Sequence, residues 1–221
     1  MRTCKHIPKL KVDYTVKMDA FVYSFLGPED GDCLIKWGSD ILPKKLVREL
    51  IRTKFRNLSK LKTFLQEYSI RNKIQIEKTK KLIINLWKEK SPDIISELET
   101  LFKTTIDCKT ITIYLTTFPM FPYNQDECWF TSSVYSRKAD HLETMKHELN
   151  HFYFHKVFGE KDSRINGKDF WAIKESFCAI TLSEEEVYDS HKNLRNFIRN
   201  VSNKAKGGRE IYEQCIDFVN R

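Results

Sequence analysis

The order of predicted elements along the chain indicates an α+β fold. Apolar residues recur at helical spacing over about residues 43–87, whereas β-branched and aromatic residues are concentrated at 110–116 and 128–135, as in strands. Further segments of helical character follow these strands. We therefore expect a mainly helical, basic region over residues 1–105 and a mixed domain over residues 106–221.

The N-terminal region opens with a predicted strand, in which Leu10, Val12, Tyr14 and Val16 alternate with polar residues. Residues 27–32 combine glycine, proline and acidic side chains and predict a turn. We expect another helix to begin near Pro92, because proline is tolerated at the first position of a helix.

The C-terminal region contains three predicted helices, at about residues 140–158, 169–182 and 208–219. Asp140 and Glu143 have the spacing of a capping box, with Asp140 as the N-cap. Gly159 stands where a glycine that ends a helix is expected. The first of these helices is therefore bounded by sequence signals at both ends.

The cysteines and the apolar segments predict the compartment. The six cysteines are widely spaced and form no C-x-x-C pair. The first residues lack the apolar core of a signal peptide, and no apolar run reaches the length of about 18 residues that a membrane span requires. We therefore expect reduced, mostly buried thiols in a cytoplasmic protein that does not enter a membrane.

Positive charge is concentrated in one part of the chain. The formal net charge is +8, and residues 44–90 alone hold fifteen Lys or Arg against four Glu. One interpretation is a set of amphipathic helices with solvated lysine-rich faces. The other is an anionic partner, such as nucleic acid or an acidic substrate. The absence of a recognisable nucleic-acid motif in the sequence favours the first.

A five-residue motif inside the predicted helix 140–158 points to metal chemistry. Residues 147–151 have the sequence His-Glu-Leu-Asn-His, the HExxH pattern. Four residues advance a helix by slightly more than one turn, so His147 and His151 project from the same face and can share one zinc ion. Glu148 then stands where a general base for the attacking water is needed.

Zinc sites of this kind need a third protein ligand, and Glu175 is the best candidate. It belongs to the next predicted helix, where its neighbours on the same face are mostly apolar. A carboxylate in an apolar stripe is unfavourable unless a partner compensates its charge, and a metal ion would do so. A hydrogen bond to a buried Lys, Arg or Tyr is the alternative explanation.

The other histidines are weaker candidates for the metal. His155 continues the spacing of four, but each such step drifts by about 40°, and two turns place it about 12 Å from His147. We expect it to support the site or to lie at the surface. His141 and His191 have no spacing that relates them to the motif.

These residues resemble the gluzincin class of zinc metallopeptidases, which includes thermolysin-like enzymes. The resemblance rests on His147-Glu148-x-x-His151 with Glu175 on a following helix, and it covers roughly residues 109–190. The metzincin pattern fails, since it needs glycine and histidine where this chain has Phe154 and Val157.

The resemblance implies a zincin-like catalytic domain in which zinc is held by His147, His151 and Glu175. It also implies a sheet whose edge strand binds an extended peptide, a role that falls to residues 109–116 or 129–135. In this class a tyrosine or histidine stabilises the oxyanion, and Tyr188 and His191 are the candidates.

The expected function is therefore a zinc-dependent metallopeptidase that hydrolyses a peptide or protein substrate. Three alternatives stay open. The same zinc chemistry could act on a small-molecule amide, or the chain could bind metal without turnover and serve a partner. The third is a nucleic-acid-associated protease in which the basic helices at 44–90 dock on the phosphate backbone.

Overall fold

A computed structural model describes residues 7–25, 42–53, 58–118, 120–182 and 191–221. The turn predicted at residues 27–32 lies outside these residues. None of the described helices combines the length and the apolar composition that crossing a membrane requires.

Four strands and eight α-helices are present in the described part of the chain. In order they are β1 (Lys9–Asp13), α1 (Val16–Tyr23), α2 (Lys44–Arg52), α3 (Ser59–Arg71), α4 (Lys73–Phe102), β2 (Thr110–Thr116), β3 (Tyr123–Asn124), β4 (Trp129–Ser133), α5 (Lys138–Phe158), α6 (Gly167–Phe177), a short 3₁₀ helix (Cys178–Ile180), α7 (Lys192–Ser202) and α8 (Gly208–Val219). The α+β class is confirmed.

The strands form one mixed sheet in the order β1-β2-β4-β3. Strand β2 pairs in parallel with both β1 and β4, and β3 pairs antiparallel with β4, with Tyr123 opposite Phe130. Parallel neighbours require a long crossover, and helices α1 to α4 supply it between β1 and β2.

The prediction that residues 109–116 form a peptide-binding edge strand is wrong, because β2 has a hydrogen-bonded neighbour on each side. Strand β4 also has two neighbours at Trp129 and Phe130, whereas Ser132 and Ser133 pair with β2 alone among the described strands. The sequence analysis missed strand β3, whose two residues are too few to produce a periodic pattern. The strand pattern predicted over Leu10 to Val16 also extends too far, because Val16 begins α1.

The chain divides into two compact units, each built from separate stretches. The sheet unit comprises Lys9–Trp87 and Thr110–His141, and the helical unit comprises Lys88–Lys109 and Leu142–Arg221 together with residues 7–8. We had expected a boundary between residues 105 and 106. A division of function at that boundary stays a prediction.

Helix α2 of the sheet unit has one apolar and one charged face. In α2, Leu46, Val47 and Leu50 are buried, while Lys44, Lys45, Arg48 and Arg52 are exposed. The buried side chains join an apolar cluster that includes residues of α1 and α3. This pattern is what the first interpretation of the basic segment predicts.

Aromatic rings form the core of the helical unit. Phe154 of α5 lies 5.2 Å from Phe177 of α6 and 5.7 Å from Phe170, measured between ring centroids. Phe158 stacks on Tyr212 of α8 at 4.1 Å. These contacts hold α5 against α6, and both helices carry residues of the predicted metal site.

Two predicted helix starts are wrong. Pro92 lies inside α4, where the buried Ile94, Ile95 and Leu98 follow it. Apolar burial in this helix offsets the cost of about 3 kcal/mol that an interior proline imposes. Helix α5 begins at Lys138, so Asp140 is in its first turn.

The two predicted signals at the ends of α5 act differently from each other. The Asp140 carboxylate accepts the backbone N–H of Arg137 at 2.9 Å, which is the reaching-back half of a capping box. Gly159 ends the helix with φ +76° and donates its N–H to the His155 carbonyl, as predicted.

The expectation of reduced thiols is correct for some cysteines and wrong for others. Cys178 and Cys215 are free and buried. Cys108 and Cys128 are disulfide-bonded. Spacing along the sequence does not reveal which cysteines the fold brings within bonding distance. Because disulfides persist mainly in oxidising compartments, this finding opposes the reasoning behind a cytoplasmic location, which stays a prediction.

Candidate metal centre

Two helices of the helical unit position the predicted metal ligands. Helix α5 carries His147 and His151 one turn apart. Helix α6 begins after Asn166, whose side chain accepts the N–H of Asp169 at 2.9 Å, and it carries Glu175 near its end. The N-cap fixes where α6 starts, so it also fixes which turn presents the carboxylate.

The three side chains converge. His147 Nε2 and His151 Nε2 are 2.9 Å apart. Glu175 Oε2 lies 3.4 Å from the first nitrogen, and Oε1 lies 3.6 Å from the second. Ligands at about 2.0–2.2 Å from a tetrahedral zinc ion are themselves about 3.3–3.6 Å apart. The two separations that involve Glu175 match this range, whereas the two nitrogens would have to move apart by about 0.4 Å to bind zinc together.

The centre is accessible from one side. The side chain of His147 is 24% exposed and that of Glu175 is 15% exposed, whereas His151 is 2% exposed. A ligand or water can therefore approach past His147, while His151 forms the closed side. Catalytic zinc sites, unlike structural ones, need such access to a fourth coordination position.

Glu148 is buried beside the two imidazoles. It is 3% exposed, and its Oε2 has no hydrogen-bond partner among the described residues. Burial raises the pKa of this carboxyl to about 7, although both histidines act to lower it. A carboxyl with such a pKa can accept and return a proton near neutral pH.

A residue that the sequence analysis placed only in an apolar stripe also contacts the site. Cys178 is fully buried, and its Sγ lies 3.9 Å from Nδ1 of His151. Donor atoms of His147, His151 and Cys178 lie within 4.8 Å of one another, which makes a second set of three metal-binding groups. Burial acts to raise the pKa of the Cys178 thiol, but the two histidines lower it by more. The net pKa is therefore below its usual range, at about 6.

Glu175 and Cys178 contact different nitrogens of His151. Glu175 lies at Nε2, the atom that also faces His147. The Sγ of Cys178 lies 3.9 Å from Nδ1, the other ring nitrogen. An ion that both Nε2 atoms bind is therefore met by the Glu175 carboxylate.

Lys174 completes the surroundings of Glu175. Its side chain is 10% exposed, and Nζ lies 3.0 Å from Glu175 Oε1. The alternative explanation for Glu175, a buried cationic partner, is therefore also present. The two explanations are compatible, because the lysine contacts Oε1 while Oε2 is the nearer oxygen to His147.

Electrostatics in the centre favour a cation. Burial lowers the pKa of His147 and of His151, but Cys178 and Glu175 outweigh it and the net shift is upward for both. Burial raises the pKa of Glu175, yet its hydrogen bonds to the two histidines bring it well below its usual range. Positive charge at the imidazoles is thus stabilised by the surrounding acidic groups, and a metal ion would take the place of those protons.

The described contacts of His155 are at the end of α5. Its Nδ1 is 3.0 Å from the carbonyl oxygen of Gly159 and 3.2 Å from Glu160 Oε1. It therefore helps to close the end of α5.

The remaining candidates are not brought to the ligands by any described contact. The His191 ring packs edge-on against Trp171 of α6, at 5.2 Å between centroids. His141 belongs to the sheet unit, where Nδ1 is 2.8 Å from Ser132 Oγ. Tyr188 lies outside the described residues. The oxyanion roles of Tyr188 and His191 stay predictions.

Lys174 and Cys178 are the site residues that sequence reasoning missed. A usable signal was their spacing, since they stand four residues apart and flank Glu175 on one turn of helix. Comparisons with family models, with curated proteins and with solved structures found no match for this chain. The functional assignment consequently depends on the geometry of the site.

Proposed function

We propose that this protein is a zinc-dependent metallopeptidase of the gluzincin type. The observation that carries the proposal is the convergence of His147 Nε2, His151 Nε2 and the Glu175 carboxylate, at separations of 2.9, 3.4 and 3.6 Å. The substrate class is a peptide or protein.

The donor chemistry fits the metal. Two imidazole nitrogens and one carboxylate are a ligand set used by catalytic zinc, and they leave a fourth position for water or substrate. When bound, zinc supplies a Lewis acid that polarises a carbonyl and makes a coordinated water more acidic.

The chain's own groups provide the proton transfers. Glu148 has one carboxylate oxygen without a partner in the described structure, and it is adjacent in sequence to His147. In the proposed reaction it accepts a proton from the attacking water and passes it to the leaving amine. Its burial keeps it near the pKa at which both steps are feasible.

The architecture supports a zincin-like fold. A mixed sheet precedes the helix with the HExxH motif, and a second helix with the glutamate follows. Strand β3 runs antiparallel at one end of the sheet order. Strand edges can hold an extended peptide by main-chain hydrogen bonds. Among the described strands, the sheet unit by itself offers such an edge at β3 and at the last residues of β4.

Metal content of the purified protein tests the proposal. We expect about one zinc per chain in the wild type and in His155→Ala, and loss of zinc in Glu175→Ala. Peptide-library turnover by the zinc-loaded wild type should follow. A wild type that takes up no zinc after reconstitution would refute the metal site. Zinc without turnover of any peptide would leave a metal-binding protein and refute the peptidase.

A second candidate function is favoured by the exposed basic face of α2. Lys44, Lys45, Arg48 and Arg52 all lie on this face. Contacts to phosphates would make nucleic-acid binding steeply dependent on salt. Neutralising the four residues should abolish such binding with zinc content unchanged, and no binding at low salt would remove this candidate.

A further inference from the structure

The immediate surroundings of His151 suggest how this ligand is held. Metal-binding histidines usually donate their second ring N–H to a carboxylate, a backbone carbonyl or water, and this contact fixes the ring and its tautomer. Here the group nearest to Nδ1 of His151 for which a contact is described is the sulfur of Cys178, at 3.9 Å.

We infer that Cys178 is a positioning residue for the metal centre: it holds His151 through Nδ1 so that Nε2 faces the ion, and it is not itself a ligand. The inference concerns the metal site of the proposed function and goes beyond it by assigning the thiol. Two features of the site support it, namely the geometry of the ring and the fixation of the sulfur.

The geometry of the ring separates the two roles. The lone pairs of Nδ1 and Nε2 point away from each other in the plane of the imidazole, so one ion cannot bind both. Nε2 of His151 faces His147 and Glu175. A sulfur in contact with Nδ1 can therefore hold the ring without contacting an ion bound at Nε2.

The sulfur is itself held in place. Cys178 is fully buried at the start of the 3₁₀ helix, and its Sγ lies 3.7 Å from the carbonyl oxygen of His147 and 4.0 Å from that of Lys174. As a thiol or as a thiolate, the sulfur can accept the N–H of His151 Nδ1. That arrangement selects the tautomer with a lone pair on Nε2, which is the form that binds metal.

Loss of the Cys178 thiol should weaken zinc binding. Removing a residue that orients a ligating histidine typically weakens metal binding by about 10–100-fold. Serine can accept the same hydrogen bond from His151, although its shorter side chain has to reach across a contact sized for sulfur. We therefore expect zinc affinity to fall in the order wild type, Cys178→Ser, Cys178→Ala.

The experiment uses chelator competition to measure zinc affinity in four full-length proteins: wild type, Cys178→Ala, Cys178→Ser and Cys215→Ala. Cys215 is the matched control, because it is also a free, fully buried thiol of the helical unit. We expect about a 10–100-fold weaker affinity in Cys178→Ala and no change in Cys215→Ala. Circular dichroism of the metal-free proteins should show equal folding.

Cobalt substitution separates support from ligation. Cobalt bound to thiolate absorbs strongly in the near ultraviolet through charge transfer from sulfur, and we expect wild type to lack this absorption. Its presence in wild type and loss in Cys178→Ala would overturn the inference in favour of a His-His-Cys ligand set. Unchanged zinc affinity in Cys178→Ala would also overturn it, with the proposed function intact. A wild type that binds neither metal would refute both.

Discussion

Two buried acidic groups, one in each unit, differ in how their hydrogen-bonding capacity is met. Asp19 of the sheet unit accepts the N–H and the hydroxyl of Thr117 at 2.8 and 3.0 Å, and the hydroxyl of Tyr14 at 2.8 Å. Glu148 of the helical unit has an oxygen with no partner among the described residues. Buried polar groups in folded proteins are normally satisfied, so the first group is structural and the second indicates a ligand or water.

The pKa values of Asp19 and Glu148 are both raised, so they do not separate the two groups. Burial raises the pKa of Asp19 to about 6 although three hydrogen bonds oppose the shift, and it raises the pKa of Glu148 to about 7. A perturbed carboxyl is therefore not enough to identify a catalytic one. Glu148 differs from Asp19 in its unmet oxygen and in its neighbours His147 and His151, the candidate metal ligands.

The largest expected effect is on catalysis at Glu148. Glu148→Gln keeps the shape of the side chain but cannot accept the proton, so peptide turnover should fall by about 10²–10⁴-fold with zinc content unchanged. Asp19→Asn is the control and should retain turnover. A Glu148→Gln protein with wild-type turnover, or an Asp19→Asn protein without any, would break the comparison.

The next effect is the pH dependence of stability that Asp19 contributes. Its folded-state pKa is raised from 3.8 to about 6, so between these values the folded state binds more protons than the unfolded state. The free energy of unfolding must then fall as pH rises from about 4 to about 6, by about 3 kcal/mol from this group. Urea unfolding of wild type and Asp19→Asn at several pH values measures it. Equal pH dependence in the two proteins would contradict the raised pKa.

A smaller effect is expected at Lys174, which orients one oxygen of Glu175. Lys174→Met preserves the bulk of the buried chain and removes the contact at Oε1, so zinc affinity should fall by about 10-fold. Chelator competition would detect this change. Lys168→Met, an exposed substitution on the same helix, is the control. Identical affinities in both variants would show that Glu175 needs no support.

The smallest expected effect concerns the hydrogen bonds that Asp19 accepts. Tyr14→Phe removes one donor to Asp19 and should destabilise the protein by about 1 kcal/mol. Because the hydrogen bond from Tyr14 lowers the pKa of Asp19, its loss should move the pH-dependent fall in stability to higher pH. A stability curve with an unmoved midpoint would mean that Tyr14 does not hold this carboxyl.

Helices and strands with a local signal can be predicted from the amino-acid sequence alone. The predicted strand at 110–116 coincides with β2, and the helices predicted at 140–158 and 208–219 match α5 and α8 within two residues. The spacing of His147 and His151 on one face of α5 follows from helix geometry alone. These features depend on periodicity within one element, so no distant contact is needed to infer them.

The contacts between elements follow only from tertiary packing. The approach of Glu175 to both histidines, and the contacts of Lys174 and Cys178, require α6 to pack on α5 through the aromatic core. The pairing of β3 and the disulfide bonding of Cys108 likewise depend on residues brought together from different parts of the chain. Helix α7 was missed altogether. Spacing in the sequence determines which side chains share one face of a helix or strand. Packing between elements determines which faces meet, and this packing brings Glu175 to His147 and His151.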